Sequence, residues 1–313
     1  MPSILVTRKL PSSVLAKLCA IGDVDVYDGE APIGPAELKR RIAGKDAIVC
    51  LLTESIDAAV VDAAPGLKVI ANVAVGFNNV DVEYARGRGI IVTNTPDVLT
   101  EPVADFTWAL ILALTRRLSE GERLIRRGGW KGWALDFMLG TDLRGKQLGL
   151  IGYGRIGRAV AARAPAFGLR VAFTSRRPAD PSGAEPMSLD RLLNSSDVVS
   201  LHVPLTRETT HLIDRRALAR MKRSACLINT ARGPVVDEAA LAWALKEHLI
   251  AGAALDVYER EPAVHPDLLP LENVLLAPHL GSATKETRTA MAELAVENVI
   301  NVLRGRPPLT PVS

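Results

Sequence analysis

Cysteine is scarce in this chain: Cys19, Cys50 and Cys226 stand far apart in 313 residues, with no Cys-x-x-Cys spacing. That argues against a disulfide framework or a cysteine-based zinc or redox motif, and leaves buried thiols in a reducing compartment as the expectation. Long apolar runs are missing too. The opening Met1-Pro2-Ser3-Ile4-Leu5-Val6-Thr7-Arg8 is too short for a signal peptide, and no later stretch reaches the roughly 20 apolar residues of a membrane span. One-sided charge is also absent, since 38 Lys and Arg against 35 Asp and Glu leave a formal charge of +3. The basic residues are scattered along helical stretches, so neither nucleic acid nor membrane is expected as a partner. A cytoplasmic protein is expected, and small anionic ligands stay open. Internal repeats, low-complexity segments and metal-ligand spacing among His202, His211, His248 and His265 are likewise lacking.

What is present is ordinary globular composition, 48% hydrophobic and 23% charged, over a length that suits two domains. Short strand-type runs alternate with helical patterns. Five strands are expected at Ile4 to Thr7, Val24 to Tyr27, Ala47 to Leu52, Lys68 to Ala71 and Ile90 to Thr93. Six more are expected at Gln147 to Ile151, Arg170 to Thr174, Val198 to Leu201, Cys226 to Asn229, Gly252 to Asp256 and Val274 to Leu276. The alternation predicts α/β architecture with two doubly wound parallel-sheet domains, the first flavodoxin-like and the second a Rossmann domain. A single long helix is expected from Glu101 to Leu118, with Thr100 as N-cap. The last helix, Lys285 to Leu303, is expected to return to the first domain, whose own helices are too few to cover its sheet. The boundaries are then 1–99 plus 282–313 for one domain and 100–281 for the other.

The clearest motif is Gly152-Tyr153-Gly154-Arg155-Ile156-Gly157. A lone Gly-x-Gly-x-x-Gly is weak, but this one follows a buried-type strand and opens a helix of small residues, as dinucleotide binding requires. Gly152 permits the tight turn, Gly154 lets the backbone approach a pyrophosphate, and Gly157 lets helix and strand pack closely. At the end of the next strand an NAD-selective site places an acid for the ribose 2′-hydroxyl. Here the chain reads Thr174-Ser175-Arg176-Arg177, which suits a 2′-phosphate and points to NADPH, with NADH also possible. The alternative is that Arg176 and Arg177 are solvated loop charges.

Hydride transfer to a 2-keto acid needs a cation for the carboxylate, a donor that polarises the carbonyl, and an acid for the new alkoxide. Three candidates follow strands of the second sheet: Arg232 in Asn229-Thr230-Ala231-Arg232-Gly233, Glu261 in Asp256-Val257-Tyr258-Glu259-Arg260-Glu261-Pro262, and His279 in Ala277-Pro278-His279-Leu280-Gly281-Ser282-Ala283-Thr284. Each also has a plainer reading. Arg232 would pair with Asp237 or Glu238, Glu261 would decorate an acidic loop, and His279 would be a half-buried histidine satisfied by a carbonyl. Trp130 and Trp133 are open between core aromatics and an active-site lining.

These segments, together with Val75-Gly76-Phe77-Asn78-Asn79-Val80-Asp81, resemble the D-2-hydroxyacid dehydrogenase family, most closely its glyoxylate/hydroxypyruvate reductases, over nearly the whole chain. The resemblance implies that Arg232 binds the substrate carboxylate and carbonyl, that His279 donates the proton, and that Glu261 pairs with His279. A carboxylate beside an imidazole favours its charged form. It also implies substrate contacts from Leu52, Val75 and Gly76. Cofactor contacts are implied for the glycine motif with Arg155 and Ile156, for Ser175, Arg176 and Arg177, and for Pro204, Thr230, Asp256 and Gly281.

The resemblance implies a homodimer, with Glu101 to Leu118 and the tryptophan loop as candidate interface. Several alternatives remain open within and beyond this family. A phosphoglycerate dehydrogenase would need further cations that the Val75 to Asp81 loop lacks. A D-lactate type stays open, and a formate dehydrogenase pairs its histidine with glutamine rather than glutamate. A nucleotide-sensing corepressor shares the fold, and fold alone does not decide function.

Overall fold

In the computed structural model, which describes residues 1–176 and 183–312, the chain divides into two compact units. One is Met1–Leu99 with Ala283–Ser313, and the other is Thr100–Ser282.

The first unit alternates β1 (Ser3–Val6), α1 (Ser12–Cys19), β2 (Asp23–Val26), α2 (Pro35–Ile42), β3 (Ala47–Cys50), α3 (Ala58–Asp62), β4 (Val69–Asn72), α4 (Val82–Gly87) and β5 (Ile91–Thr93). Its parallel strands lie in the order β2-β1-β3-β4-β5, the flavodoxin-like order. β3 and β4 are buried at every position, as parallel strands covered on both faces must be. One cover comes from the far end of the chain, where α11 (Lys285–Leu303) packs on β3 and β4 and beside α1. The Thr284 hydroxyl caps α11 by accepting from Thr287 N–H, and Asp57 and Asp81 cap α3 and α4 the same way. Cys19 is exposed, whereas Cys50 is buried. The expectation of three buried thiols is corrected here, because α1 buries Val14 and Leu18 and turns Cys19 outward.

The second unit begins with α5 (Thr100–Thr115) and α6 (Leu118–Arg126). Thr100 is therefore the first helical residue and not the cap, and the expected continuous helix is broken. The Thr115 carbonyl accepts from Thr141 N–H at 2.8 Å. Arg117 then takes a left-handed backbone with φ 54° and turns its guanidinium onto Glu120.

There follow β6 (Gln147–Ile151), α7 (Arg155–Arg163), β7 (Arg170–Thr174), β8 (Glu185–Pro186), α8 (Leu189–Ser195), β9 (Val198–Leu201), α9 (Arg215–Arg220), β10 (Cys226–Asn229), α10 (Glu238–Lys246), β11 (Gly252–Leu255) and β12 (Val274–Leu276). The sheet runs β12-β11-β10-β9-β6-β7-β8, parallel throughout. It has seven strands where six were expected, since the two-residue β8 adds to β7 at Ala172 and Phe173. Trp130 and Trp133 are 54% and 80% exposed, so they are not core aromatics of this chain. Among the described residues no helix is long and apolar enough to cross a membrane.

Candidate active site

In the second unit the glycine turn sits between β6 and α7. Gly152 N–H donates to Thr174 O at 3.0 Å, so the turn is tied to the end of β7. Gly152 has φ 98°, and a Cβ there would come within 2.4 Å of His202 O. Gly157 faces the same turn from the helix, where a Cβ would lie 2.3 Å from Gly152 O. Both positions therefore require glycine, one for backbone angle and contact, the other for contact alone. Tyr153 is buried and stacks on Phe173 with centroids 4.0 Å apart, which fixes the loop against the sheet.

Beside the turn lies a cavity of about 630 Å³. Gly152, Gly154, Ser175, Arg176 and Pro204, all expected to touch a cofactor, line it together. Arg177 lies outside the described residues. Ile156 and Gly157 stand in the first turn of α7 with Arg155, where a helix start offers N–H groups to an anion. The cavity is completed by residues the sequence reading missed, among them Arg158, Leu189, Val203, Glu208, Thr209 and Leu212. The one local signal was the Pro204 to Thr209 run, where Thr209 Oγ donates to Pro204 O at 2.7 Å and accepts from Thr206 N–H at 2.8 Å. The Glu208 carboxyl is held below its usual range, first by the Thr206 hydroxyl and in smaller part by the charge of Arg176. This arrangement fits a dinucleotide: glycine cradle, helix start, apolar wall and a cation beside the β7 end.

A second cluster stands where β10, β11 and β12, neighbours in the sheet, reach their carboxyl ends. After β10 the Asn229 side chain folds the turn around Arg232: its Oδ1 accepts from Ala231 N–H and its Nδ2 donates to Arg232 O, each at 3.0 Å. Arg232 in turn donates to Ala231 O at 2.7 Å. Burial lowers the Arg232 guanidinium from its usual value, and the charge of Glu261 works in the opposite direction. Thr230 Oγ lies 3.1 Å from Thr107 Oγ of α5.

After β11, Asp256 is 1% exposed and takes two short hydrogen bonds, from Leu280 N–H at 2.6 Å and Gly281 N–H at 2.8 Å. Its own carbonyl accepts from His279 N–H at 3.0 Å. Burial raises the Asp256 carboxyl despite those donors. Asp256 thus builds the turn that carries His279, which has a left-handed backbone with φ 54°, a conformation uncommon outside glycine and enriched in His.

The ring of His279 then meets Glu261, with Nδ1 2.9 Å from Oε2. Tyr258 N–H donates to the other carboxylate oxygen at 3.1 Å, and Tyr258 Oη donates to Ala277 O at 2.9 Å, tying the Glu261 loop to the residue after β12. Burial would raise the Glu261 carboxyl. The hydrogen bond and charge of His279, the Tyr258 N–H and the Arg232 charge outweigh it and leave the group below its usual range. An ionised Glu261 accepting from Nδ1–H leaves Nε2 as the free end of the ring. Both side chains keep access to solvent, at 28% and 30%.

In the first unit, Leu52, Val75 and Gly76 are part-buried in loops that follow β3 and β4.

A family model described as D-isomer specific 2-hydroxyacid dehydrogenase, NAD binding domain, matches residues 108–281. A glyoxylate reductase of Korarchaeum cryptofilum is 51% identical over 98% of this chain and 94% of its own length. That of Thermococcus kodakarensis is 48% identical, covering 100% of this chain and 96% of its own. Among solved structures, a protein of Thermus thermophilus superposes with TM-score 0.95 at 49% identity, over 99% of this chain and 100% of that one. An NADPH-dependent glyoxylate/hydroxypyruvate reductase of Sinorhizobium meliloti, solved with NADP and malonate, gives 0.88 at 37% identity over 100% and 97%.

Proposed function

From a chain that belongs to the D-isomer specific 2-hydroxyacid dehydrogenases, and so is an NAD(P)-dependent oxidoreductase, we propose a reductase of small 2-keto acids, glyoxylate and hydroxypyruvate first, that prefers NADPH. The observation that carries the reading is the His279–Glu261 pair beside Arg232 on adjacent strand ends. Relatives named glyoxylate reductase support the choice of substrate.

A bound nicotinamide supplies the hydride. Arg232 holds the carboxylate and polarises the keto oxygen, which is what a guanidinium fork does best. His279 Nε2 delivers the proton to that oxygen as it becomes a hydroxyl. Glu261 orients the ring through Nδ1 and balances the imidazolium charge before transfer. The N–H groups of Val75 and Gly76 are further donors for the carboxylate, and Leu52 is a neighbour of the substrate. Asp256 serves the nicotinamide amide, and Thr230 and Gly281 are further cofactor contacts.

The NADPH preference rests on Ser175 and Arg176 lining the cavity with no acid at the end of β7. Arg177 belongs to the same proposal. The domain of 1–99 plus 282–313 is read as the substrate domain and 100–281 as the cofactor domain. The reading further includes a cytoplasmic homodimer joined through Glu101 to Leu118 and the tryptophan loop, and sedimentation as a monomer alone would refute that part.

A substrate panel tests the chemistry. Glyoxylate, hydroxypyruvate and pyruvate are each mixed with NADPH and then NADH, and absorbance of the reduced cofactor is followed. Oxidation with glyoxylate or hydroxypyruvate, faster with NADPH, is expected. No oxidation with any of the three sinks the catalytic reading, and equal use of NADH sinks the preference.

A further inference from the structure

The loop after β4 is held from one side only. Its Ala74 carbonyl accepts from Thr95 N–H at 2.8 Å, its Val75 carbonyl from Asn94 Nδ2 at 2.8 Å, and its Gly76 carbonyl from Asn72 Nδ2 at 2.9 Å. In a trans peptide the C=O of one residue and the N–H of the next point in opposite directions. Fixing three successive carbonyls therefore fixes the N–H groups of Val75, Gly76 and Phe77. None of these N–H groups is spent on an acceptor among the described residues, and Val75 and Gly76 are part-buried.

The anchors are themselves rigid. Asn72 is fully buried and pairs with Asn79, whose Nδ2 also reaches Leu51 O at 3.0 Å and Glu54 O at 3.1 Å. That joins the loop bearing Gly76 to the loop bearing Leu52. Glu54, 2% exposed, accepts from Thr7 Oγ, Thr53 Oγ and Leu51 N–H. Asn94 is locked through its backbone: its carbonyl accepts from Thr310 Oγ at 2.6 Å, and Asn298 orients Thr310 from α11.

Resting on the keto-acid reading above, we infer that Asn94 and Asn72 are positioning residues for the substrate carboxylate. Asn94 aims the Gly76 N–H and Asn72 the Phe77 N–H, so that the loop presents preformed donors to an anion without ordering cost at binding. Neither amide touches the substrate.

The test compares Asn94→Ala, Asn72→Ala and the unaltered full chain for KM of glyoxylate, inhibition by oxalate, kcat, KM of NADPH and melting temperature. For Asn94→Ala, about a tenfold rise in both glyoxylate KM and oxalate inhibition constant is expected, with NADPH KM and kcat within about twofold, since one hydrogen bond is lost at a site of oriented donors. Asn94 is half-buried where Asn72 is fully buried, so Asn94→Ala is expected to fold and keeps the test even if Asn72→Ala does not. An unchanged glyoxylate KM in Asn94→Ala overturns the inference while leaving the reductase intact, as does an equal decline of every parameter together with melting temperature. Absence of glyoxylate turnover in the unaltered chain overturns the reading on which the inference stands.

Discussion

The two parallel sheets end in different chemistry. At the carboxyl ends of β3 and β4, Asn72 and Asn79, with Asn94 after β5, act as neutral amides that hold backbone groups in place. At the carboxyl ends of β10, β11 and β12, the second unit gathers Arg232, Asp256, Glu261 and His279, and neighbouring charges act on Arg232, Asp256 and Glu261. Both clusters lie beyond the carboxyl ends of parallel strands, the place where open α/β sheets generally take ligands. The difference is in what can be altered without moving an atom. Replacing an amide changes geometry, whereas replacing one of the four ionisable groups changes where a proton resides.

The sharpest break of that comparison is His279→Ala, which should lower kcat about a thousandfold with NADPH affinity unchanged, as loss of a general acid does. Steady-state turnover and cofactor titration on the same preparation decide it, and near-normal turnover removes His279 from the chemistry. Glu261→Gln is milder and more telling. The amide keeps a group within reach of Nδ1 but loses the charge, so kcat should fall about tenfold while glyoxylate KM holds. If KM rises instead and kcat stays, Glu261 is a geometric group like the asparagines of the first unit.

A third effect concerns stability. His202, whose Nε2 lies 2.9 Å from Ser200 Oγ, is pushed by burial from 6.5 down to about 4. Between those values the unfolded chain binds a proton that the folded chain refuses, so stability should decline as pH falls across that window, by about 3 kcal/mol in all, and no further below it. In the first unit one depressed group is Glu37, held at about 2 by hydrogen bonds from Arg40 and Arg41. Its contribution is complete above 4.5 and is lost only as pH falls from there towards 2. Urea unfolding at about pH 7, 5.5, 4.5 and 3 separates the windows, and His202→Gln should flatten the upper one. An identical decline in that variant assigns the slope elsewhere.

The strands and α11 were legible because buried parallel strands are largely apolar runs and α11 carries a long helical pattern. The break between α5 and α6 was not, since a distant residue, Thr141, takes the Thr115 carbonyl that a continuing helix would use. β8 is two residues long and carries no period. Cys19 was misjudged by residue type, when its place on α1 beside Leu18 decides exposure.

At the sites, Arg232, Glu261, His279 and the glycine turn could be read as segments, because each sits in a local strand-to-loop pattern. Leu189, Val203 and Leu212 could not, for they are ordinary apolar residues made neighbours of the glycine turn by α8 and the loop after β9. The asparagine anchors escaped notice for a related reason. Their meaning lies in which carbonyl each one claims.

The return of α11 to β3 and β4 has a consequence for synthesis. A ribosome releases the first sheet early, but the helix that covers it emerges only after the whole second unit has been made. Domains fold as units while the chain grows, so the second unit is complete first and the amino-terminal sheet waits with an apolar face open to solvent. The sheet made before the second unit is thus the last of the two to mature, and exposed apolar surface during translation is expected there.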